Sequence, residues 1–246
     1  MSVFDHPEFD QHESVHYFFD EATGLRAIVA VHSTALGPGA GGTRRWIYNN
    51  DAEALTDVLR LARGMTYKNA VAGLRFGGGK AVILGDDDTP KSPEMFRAFG
   101  RFVDSMGGRY ITAEDVGCSV DDMRYVREET EFVSGLPQSG HDAGGDPSPW
   151  TALGCFQGIE AAVAARLGAD SVKGLRVAVQ GVGKVGQFLV DRLVVEGAEV
   201  TVTDIRYDAI KEIQDRHPGV EVVRPDEILE VECDVLSPCA VGRILN

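Results

Sequence analysis

The feature that most narrows what this chain can fold into is Gly181-Val182-Gly183-Lys184-Val185-Gly186. It follows the apolar run Val177–Gln180 and opens a segment of helical spacing that reaches about Glu196, and the next apolar run ends at Asp204. A lone G-x-G-x-x-G carries little weight. With a strand before it, a helix after it and an acid closing the next strand, it reads as a dinucleotide-binding turn. The first glycine makes the tight turn, the second lets backbone touch a pyrophosphate, and the third brings helix against strand. The start of the helix then offers free N–H donors and a positive dipole end to the phosphates. Asp204 is placed to bond both ribose hydroxyls, which favours NAD over NADP, while Arg206 is placed for a 2′-phosphate and keeps the other cofactor open. A glycine-rich turn serving another nucleotide, or none, is the plain alternative.

Around this motif LRVAVQG, EVTVTD, VEVV and CDVLSP alternate with helical segments, as parallel βαβ units do. The second half is therefore expected to be a Rossmann-like, doubly wound domain. A chain of 246 residues exceeds the usual single-domain size of about 100–200 residues. The stretch Ser139–Pro149, SGHDAGGDPSP, gathers glycine, proline and short polar residues without apolar periodicity. It marks the boundary: one domain over 1–140, a hinge over 141–149, and the dinucleotide domain over 150–246, opening with a helix from Trp150 to Leu167 that Gly168 ends.

The first domain also reads as α/β. Residues 14–32 suggest two strands joined at Asp20–Gly24, and Asp51–Lys68 carries Leu55, Val58, Leu59, Ala62 and Met65 at helical spacing. Gly37–Gly42 is too rich in glycine for an element interior and reads as a loop that lets backbone approach something closely. A second cluster, Gly77-Gly78-Gly79-Lys80, leads into the strand AVIL. A helix starts at Pro93 and runs to Met106, Arg109–Thr112 is a short strand, and Asp121–Glu131 is another helix.

The acidic balance, a net charge of −14, argues against nucleic acid and anionic membrane as partners, because both reward basic patches. Cys118, Cys155, Cys233 and Cys239 form no C-x-x-C pair and read as reduced thiols, with neither a disulfide framework nor a metal site. The N-terminus is acidic where a signal peptide needs base, and the apolar runs fall short of the roughly 18–20 residues of a membrane span. A soluble, cytoplasmic protein is expected. His12-Glu13-Ser14-Val15-His16 matches H-E-x-x-H, but on a strand its histidines stand about 13 Å apart, so no zinc site is expected. Lys80 is no phosphate-loop lysine either, because Leu74 and Ala81 break that pattern.

Lys68, Lys80 and Asp115 each lie beside a small-residue segment that lets a ligand approach. Singly, each has a plain reading: a last-turn helix lysine, a turn lysine and a loop acid. Alternation sends Glu114 and Asp115 to opposite sides of their strand without saying which faces a site.

The segments GPGAGGTRRW, GMTYKNAVAGLRFGGGKAVILGD, RYITAEDVG, DPSPWTALG, VAVQGVGKVG, VTVTD and SPCAVG occur in the order found in the glutamate, leucine, phenylalanine and valine dehydrogenases. The chain resembles the apolar-substrate members of that family over nearly its whole length. The resemblance implies an N-terminal substrate-binding and oligomerising domain with a mixed sheet, an NAD-binding C-terminal domain, and a homo-oligomer. The reaction would be reversible oxidative deamination of a branched-chain or aromatic L-amino acid to its 2-oxo acid and ammonia. Lys68 would pair with the substrate carboxylate beside Gly41 and Gly42, and Met65 would line the pocket. Lys80 would activate the attacking water, and Asp115 would exchange protons with the amine. Thr151 and the turn at Cys239 and Ala240 would lie along the cofactor, with the glycine motif and Asp204.

Two departures from the family pattern stand out. Ala40 replaces a leucine of the leucine-acting members and implies a roomier pocket. Family members run on for about another hundred residues past the point matching Asn246, enough for a full six-strand dinucleotide fold. The resemblance therefore implies a truncated chain with an incomplete C-terminal domain and little turnover. A catalytically silent, NAD-binding or oligomerising fragment of the same scaffold is the alternative.

Overall fold

The computed structural model describes residues 2–86, 89–136 and 145–240, which fall in two compact α/β units, Met1–Gly145 and Asp146–Asn246. Of the hinge expected at 141–149, residues 141–144 lie outside the described residues. The first unit opens with β1 (Ser14–Asp20) and β2 (Leu25–Ser33), an antiparallel hairpin. Its turn is fixed by Asp20 Oδ2, which accepts the Thr23 N–H and hydroxyl at 3.0 and 2.7 Å. There follow β3 (Gly39–Ala40), β4 (Thr43–Ile47), α1 (Asp51–Val71), β5 (Gly77–Gly85), α2 (Pro93–Ser105), β6 (Tyr110–Ile111) and α3 (Val120–Arg127). The sheet runs β1-β2-β5-β3-β6, with β4 also paired to β5. It is mixed: β2 meets β5 antiparallel, while β3 and β4 meet it parallel.

Helices cover both faces of this sheet. Asn50 caps α1 by accepting the Glu53 N–H at 3.0 Å, and Ala54, Val58, Leu59 and Ala62 pack on Ile28, Ala30 and Val82. Ser92 caps α2, whose Met95, Phe96, Phe99 and Val103 pack with Ala27, Val29, Ala81 and Ile83 on the other face. Side chains alternate along a strand, so Lys80, opposite Ala30 in register, shares the α1 face with Val82.

Two expectations need correction here. Gly39 and Ala40, read as loop, form a strand between β5 and β6, and Gly77–Gly79 is the start of β5 rather than a turn before it. The reason is a close approach: a Cβ on Gly78 would lie 2.0 Å from Thr66 Oγ1 and 2.3 Å from Thr66 N on α1. Glycine breaks isolated strands, but here its missing side chain is what lets helix and sheet touch. Helix α3 also ends four residues before the expected Glu131. Thr112 donates its N–H to Phe132 O at 3.0 Å, and the resulting bridge of Thr112 with Val133 draws the chain into an extended path.

The second unit comprises α4 (Ser148–Leu167), β7 (Arg176–Gln180), α5 (Lys184–Val195), β8 (Glu199–Thr203), α6 (Tyr207–Arg216), β9 (Glu221–Val222) and β10 (Val235–Pro238). Helix α4 starts two residues before the expected Trp150, because Asp146 Oδ1 accepts both the N–H and the hydroxyl of Ser148 and closes an earlier turn. The strands are all parallel, in the order β10-β7-β8-β9. That is the order of the first four strands of the doubly wound dinucleotide fold. The core joins Phe156, Ile159 and Val163 of α4 to Leu189, Val190 and Leu193 of α5 and to Val177, Val179 and Val202 of the sheet.

Gly78→Ala should lower unfolding free energy by about 1–3 kcal/mol, as an overpacked core does. Gly64→Ala on α1 meets no heavy atom within 4 Å and should raise it by about 0.5–1 kcal/mol. Urea midpoints of the two variants check the opposite signs.

Candidate active site

The chemistry-bearing side chains of the first unit converge on one carboxylate oxygen. Lys80 Nζ lies 2.8 Å from Asp115 Oδ2, and Arg44 Nε donates to the same oxygen at 3.1 Å. Lys80 is 5% exposed, which for a lysine demands a paired partner. Arg44 NH1 donates to Asp57 Oδ2 at 2.9 Å, and the Tyr48 hydroxyl donates to that oxygen at 2.8 Å. The chain Tyr48–Asp57–Arg44–Asp115–Lys80 thus alternates in charge from α1 across β4 to β5.

Backbone stripped of side chains lies against this pair. A Cβ on Gly42 would sit 2.9 Å from the Asp115 Cβ, and one on Gly41 would sit 1.9 Å from Gly79 O and 3.0 Å from Met65 Cγ. The buried Tyr110 hydroxyl donates to Gly41 O at 2.6 Å and fixes the strand end. Asn69 Nδ2 donates to Gly77 O at 2.6 Å, tying the last turn of α1 to β5. Lys68, one residue earlier, is exposed, and its positive charge acts on Lys80. The structure therefore brings Gly41, Gly42, Met65, Lys68, Lys80 and Asp115 to one place. It also settles the Glu114–Asp115 alternation: Asp115 is the residue that turns toward Lys80.

Burial holds the Lys80 ammonium below the usual lysine range; Asp115 opposes the shift, and the charges of Arg44 and Lys68 add to it. Burial acts on Asp115 in the other direction, but Lys80 and Arg44 outweigh it and hold the carboxyl below the usual carboxylate range. A lysine eased toward neutrality beside an ionised aspartate is a donor–acceptor pair suited to moving protons.

In the second unit the glycine turn has the expected build. Gly181 adopts φ +93° after β7 and packs on the end of β10, where a Cβ would lie 2.8 Å from Ala240 N. Gly186 is pressed on the turn, with a Cβ position 2.0 Å from Gly181 O and 3.5 Å from Cys239 Cβ. A Cβ on Gly183 meets nothing within 4 Å, and α5 starts there without a side-chain cap. Val182 and Val185 line the turn, buried and half-buried, and Lys184 is exposed. Asp204 spans from β8 to the turn: Oδ2 accepts the Val182 N–H at 2.8 Å and Oδ1 accepts the Arg206 N–H at 2.9 Å. Thr151, exposed in the first turn of α4, donates its hydroxyl to Pro147 O at 3.0 Å.

Arg44, Asp57 and Tyr48 were not singled out by the sequence reading. One signal was there to find: Asp57 and Lys68 are eleven residues apart on α1, about three turns, and share its face. Of the histidines of H-E-x-x-H only His16 lies in β1, and His12 precedes it in irregular chain. His12 bonds Leu59 O at 2.9 Å, whereas His16 stacks on Phe18 within β1. Among the described residues, no three His, Cys, Asp or Glu side chains gather to hold a metal ion, and no helix is long and apolar enough to cross a membrane.

A buried lysine–aspartate pair on a mixed sheet, in a chain that also carries a doubly wound parallel unit, has known relatives. Residues 11–132 match the Glu/Leu/Phe/Val dehydrogenase, dimerisation domain. The chain is 50% identical to leucine dehydrogenase of Geobacillus stearothermophilus over all of its own length and 66% of that protein. It is 48% identical to leucine dehydrogenase of Bacillus subtilis (strain 168), covering all of this chain and 67% of the relative. The crystal structure of L-tryptophan dehydrogenase from Nostoc punctiforme superposes with a TM-score of 0.70 at 42% identity, over 96% of this chain and 66% of that one. The chain belongs to the glutamate, leucine, phenylalanine and valine dehydrogenase family, and spans about two thirds of the length of these relatives.

Asp115→Asn removes the strongest influence keeping Lys80 charged. The pH midpoint for acylation of Lys80 should therefore fall, raising its reactivity at neutral pH by about tenfold. Quantitative peptide mass spectrometry reads the change.

Proposed function

We propose that the chain catalyses NAD-dependent, reversible oxidative deamination of a branched-chain or aromatic L-amino acid to its 2-oxo acid and ammonia. The observation that carries this reading is the buried Lys80–Asp115 pair beside the bare backbone of Gly41 and Gly42. Its support is the family, whose similar members are named for leucine and tryptophan. In this reading the first unit binds the amino acid and the second binds NAD. The open space at Gly183 and the uncapped start of α5 fit a pyrophosphate, which Gly181–Gly186 would hold, with Asp204 toward the ribose and Thr151, Cys239 and Ala240 alongside. Bound NAD supplies the acceptor for the hydride leaving the substrate Cα.

The remaining steps belong to the chain's own side chains. Lys68 pairs with the substrate carboxylate while Met65 borders the side chain. Asp115 takes a proton from the substrate ammonium, so that its nitrogen lone pair assists loss of the hydride and an imine forms. Lys80, entering neutral, accepts a proton from the water that attacks the imine carbon. Its new ammonium then faces the oxygen on which negative charge collects as the carbinolamine breaks down. Asp115 returns its proton to the departing ammonia, and its freed carboxylate then accepts the carbinolamine hydroxyl proton as the carbonyl forms; the protons left on Lys80 and Asp115 pass to ammonia and solvent. Ala40, beside Gly41, leaves room for bulky side chains. Assembly is proposed as a homo-oligomer through the first unit, which matches a dimerisation domain.

The test is NADH formation with leucine, valine, isoleucine, phenylalanine, tryptophan and glutamate. Turnover on an apolar substrate, reduced at least about 10³-fold in Lys80→Ala and showing a raised KM in Lys68→Ala, is expected. NAD binding by calorimetry with no turnover on any of them overturns the catalytic reading in favour of a silent NAD-binding scaffold.

A second expectation concerns the turn. Gly183→Ala should leave the melting temperature unchanged yet weaken NAD binding by about tenfold or more, because its methyl enters open space that the pyrophosphate needs. Gly186→Ala should lower the melting temperature itself, since its methyl meets Gly181 O. Calorimetry beside thermal melts separates the two effects.

A further inference from the structure

We propose that Arg44 is a positioning residue for the Lys80–Asp115 pair, with Asp57 and Tyr48 as its anchor. The inference rests on the acid–base role proposed for that pair, and it starts from the shape of the guanidinium. An arginine presents its N–H groups in a rigid planar fork, so fixing one edge fixes the direction of the other. The outer edge is fixed here. NH1 reaches Asp57 Oδ2 at 2.9 Å, and that oxygen is held in turn by the Tyr48 hydroxyl at 2.8 Å. The inner edge then delivers Nε to Asp115 Oδ2 at 3.1 Å, the oxygen that Lys80 also occupies at 2.8 Å.

Convergence of two cations on one carboxylate oxygen has a mechanical consequence. A carboxylate held by a single lysine is free to swing with it, whereas Asp115 is pinned from a third element, β4, and Lys80 is met at a fixed point. The anchor comes from α1, the helix that also carries Lys68. One helix thus sets both the arginine and the lysine expected to meet the substrate carboxylate. The charged and titratable groups acting here are Lys68 and Asp57 from α1, Arg44 from β4 with Tyr48 just beyond it, Lys80 from β5, and Asp115 after β6. The direction of charge agrees: Arg44 disfavours the Lys80 ammonium and favours the Asp115 carboxylate. A lysine at position 44 would keep the charge but not the fork.

The experiment is competitive acetylation with acetic anhydride over a range of pH, following the Lys80 peptide against exposed Lys211 by mass spectrometry in the full chain. Arg44→Gln should move the Lys80 midpoint upward by about half a pH unit or more, about a threefold loss of reactivity below the midpoint. Arg44→Lys should return the midpoint to the parent value while kcat stays low and KM for the amino acid is unchanged. If Arg44→Gln fails to fold, Arg44→Met keeps the volume of the stem and carries the same readout. An arginine with only a structural role predicts the opposite pattern: its loss opens the site and speeds Lys80 labelling at every pH, with no shift of midpoint. That result, or an unmoved midpoint at unchanged rate, overturns the proposal. A shifted midpoint in a chain whose parent turns over no amino acid leaves the positioning role standing and removes the dehydrogenase reading instead.

Discussion

A lysine amine taken out of water sets the terms for the first unit. Lys80 sits in the middle of β5, almost fully buried, and an unpaired charge there would be costly enough to neutralise the group or unfold its surroundings. The unit answers with Asp115, and Asp115 in turn needs Arg44, whose own burial is offset by Asp115 itself and then by Asp57. Each partner comes from a different element, so the mixed sheet and α1 must be assembled for any of them to be tolerated. The glycines of β3 and β5 serve the same end. They allow the strands and α1 to approach within contact distances that a side chain would forbid, and so bring Lys80, Met65 and Asp115 within reach of one another.

The second unit depends on backbone rather than charge. Its turn between β7 and α5 is fixed from both sides, by Asp204 accepting the Val182 N–H and by the end of β10 pressed against Gly181. The point of contact lies where the strand order reverses between β7 and β10, the place where doubly wound folds bind ligands. Asp204 consequently ties the turn to the end of β8: Oδ2 accepts the Val182 N–H and Oδ1 the Arg206 N–H.

Much of the site was legible as residue types and much of the fold as periodicity. Helix α1 announced itself through Leu55, Val58, Leu59 and Ala62, and the parallel unit through the alternation of short apolar runs with helical segments. What the pattern misread was glycine. Propensity counts Gly39 and Gly77–Gly79 against strand, because an isolated strand gains nothing from them, whereas here the neighbouring layers exclude any side chain. The pattern was also silent on Arg44, since an arginine on a short strand looks the same whether it meets water or two carboxylates.

The sequence by itself determined the class of fold and the dinucleotide-type turn with Asp204, because these follow from local spacing and contiguous motifs; Lys68, Lys80 and Asp115 each had a plain reading by pattern and were grouped by the family resemblance. Only the tertiary structure decided that Asp115 rather than Glu114 meets Lys80, that Lys80 is buried in a strand rather than exposed on a turn, and that Arg44 and Asp57 belong to the same network. Those are facts about residues from β4, α1, β5 and the loop after β6 meeting at hydrogen-bond distance, and no local period in the chain encodes the packing that brings them together.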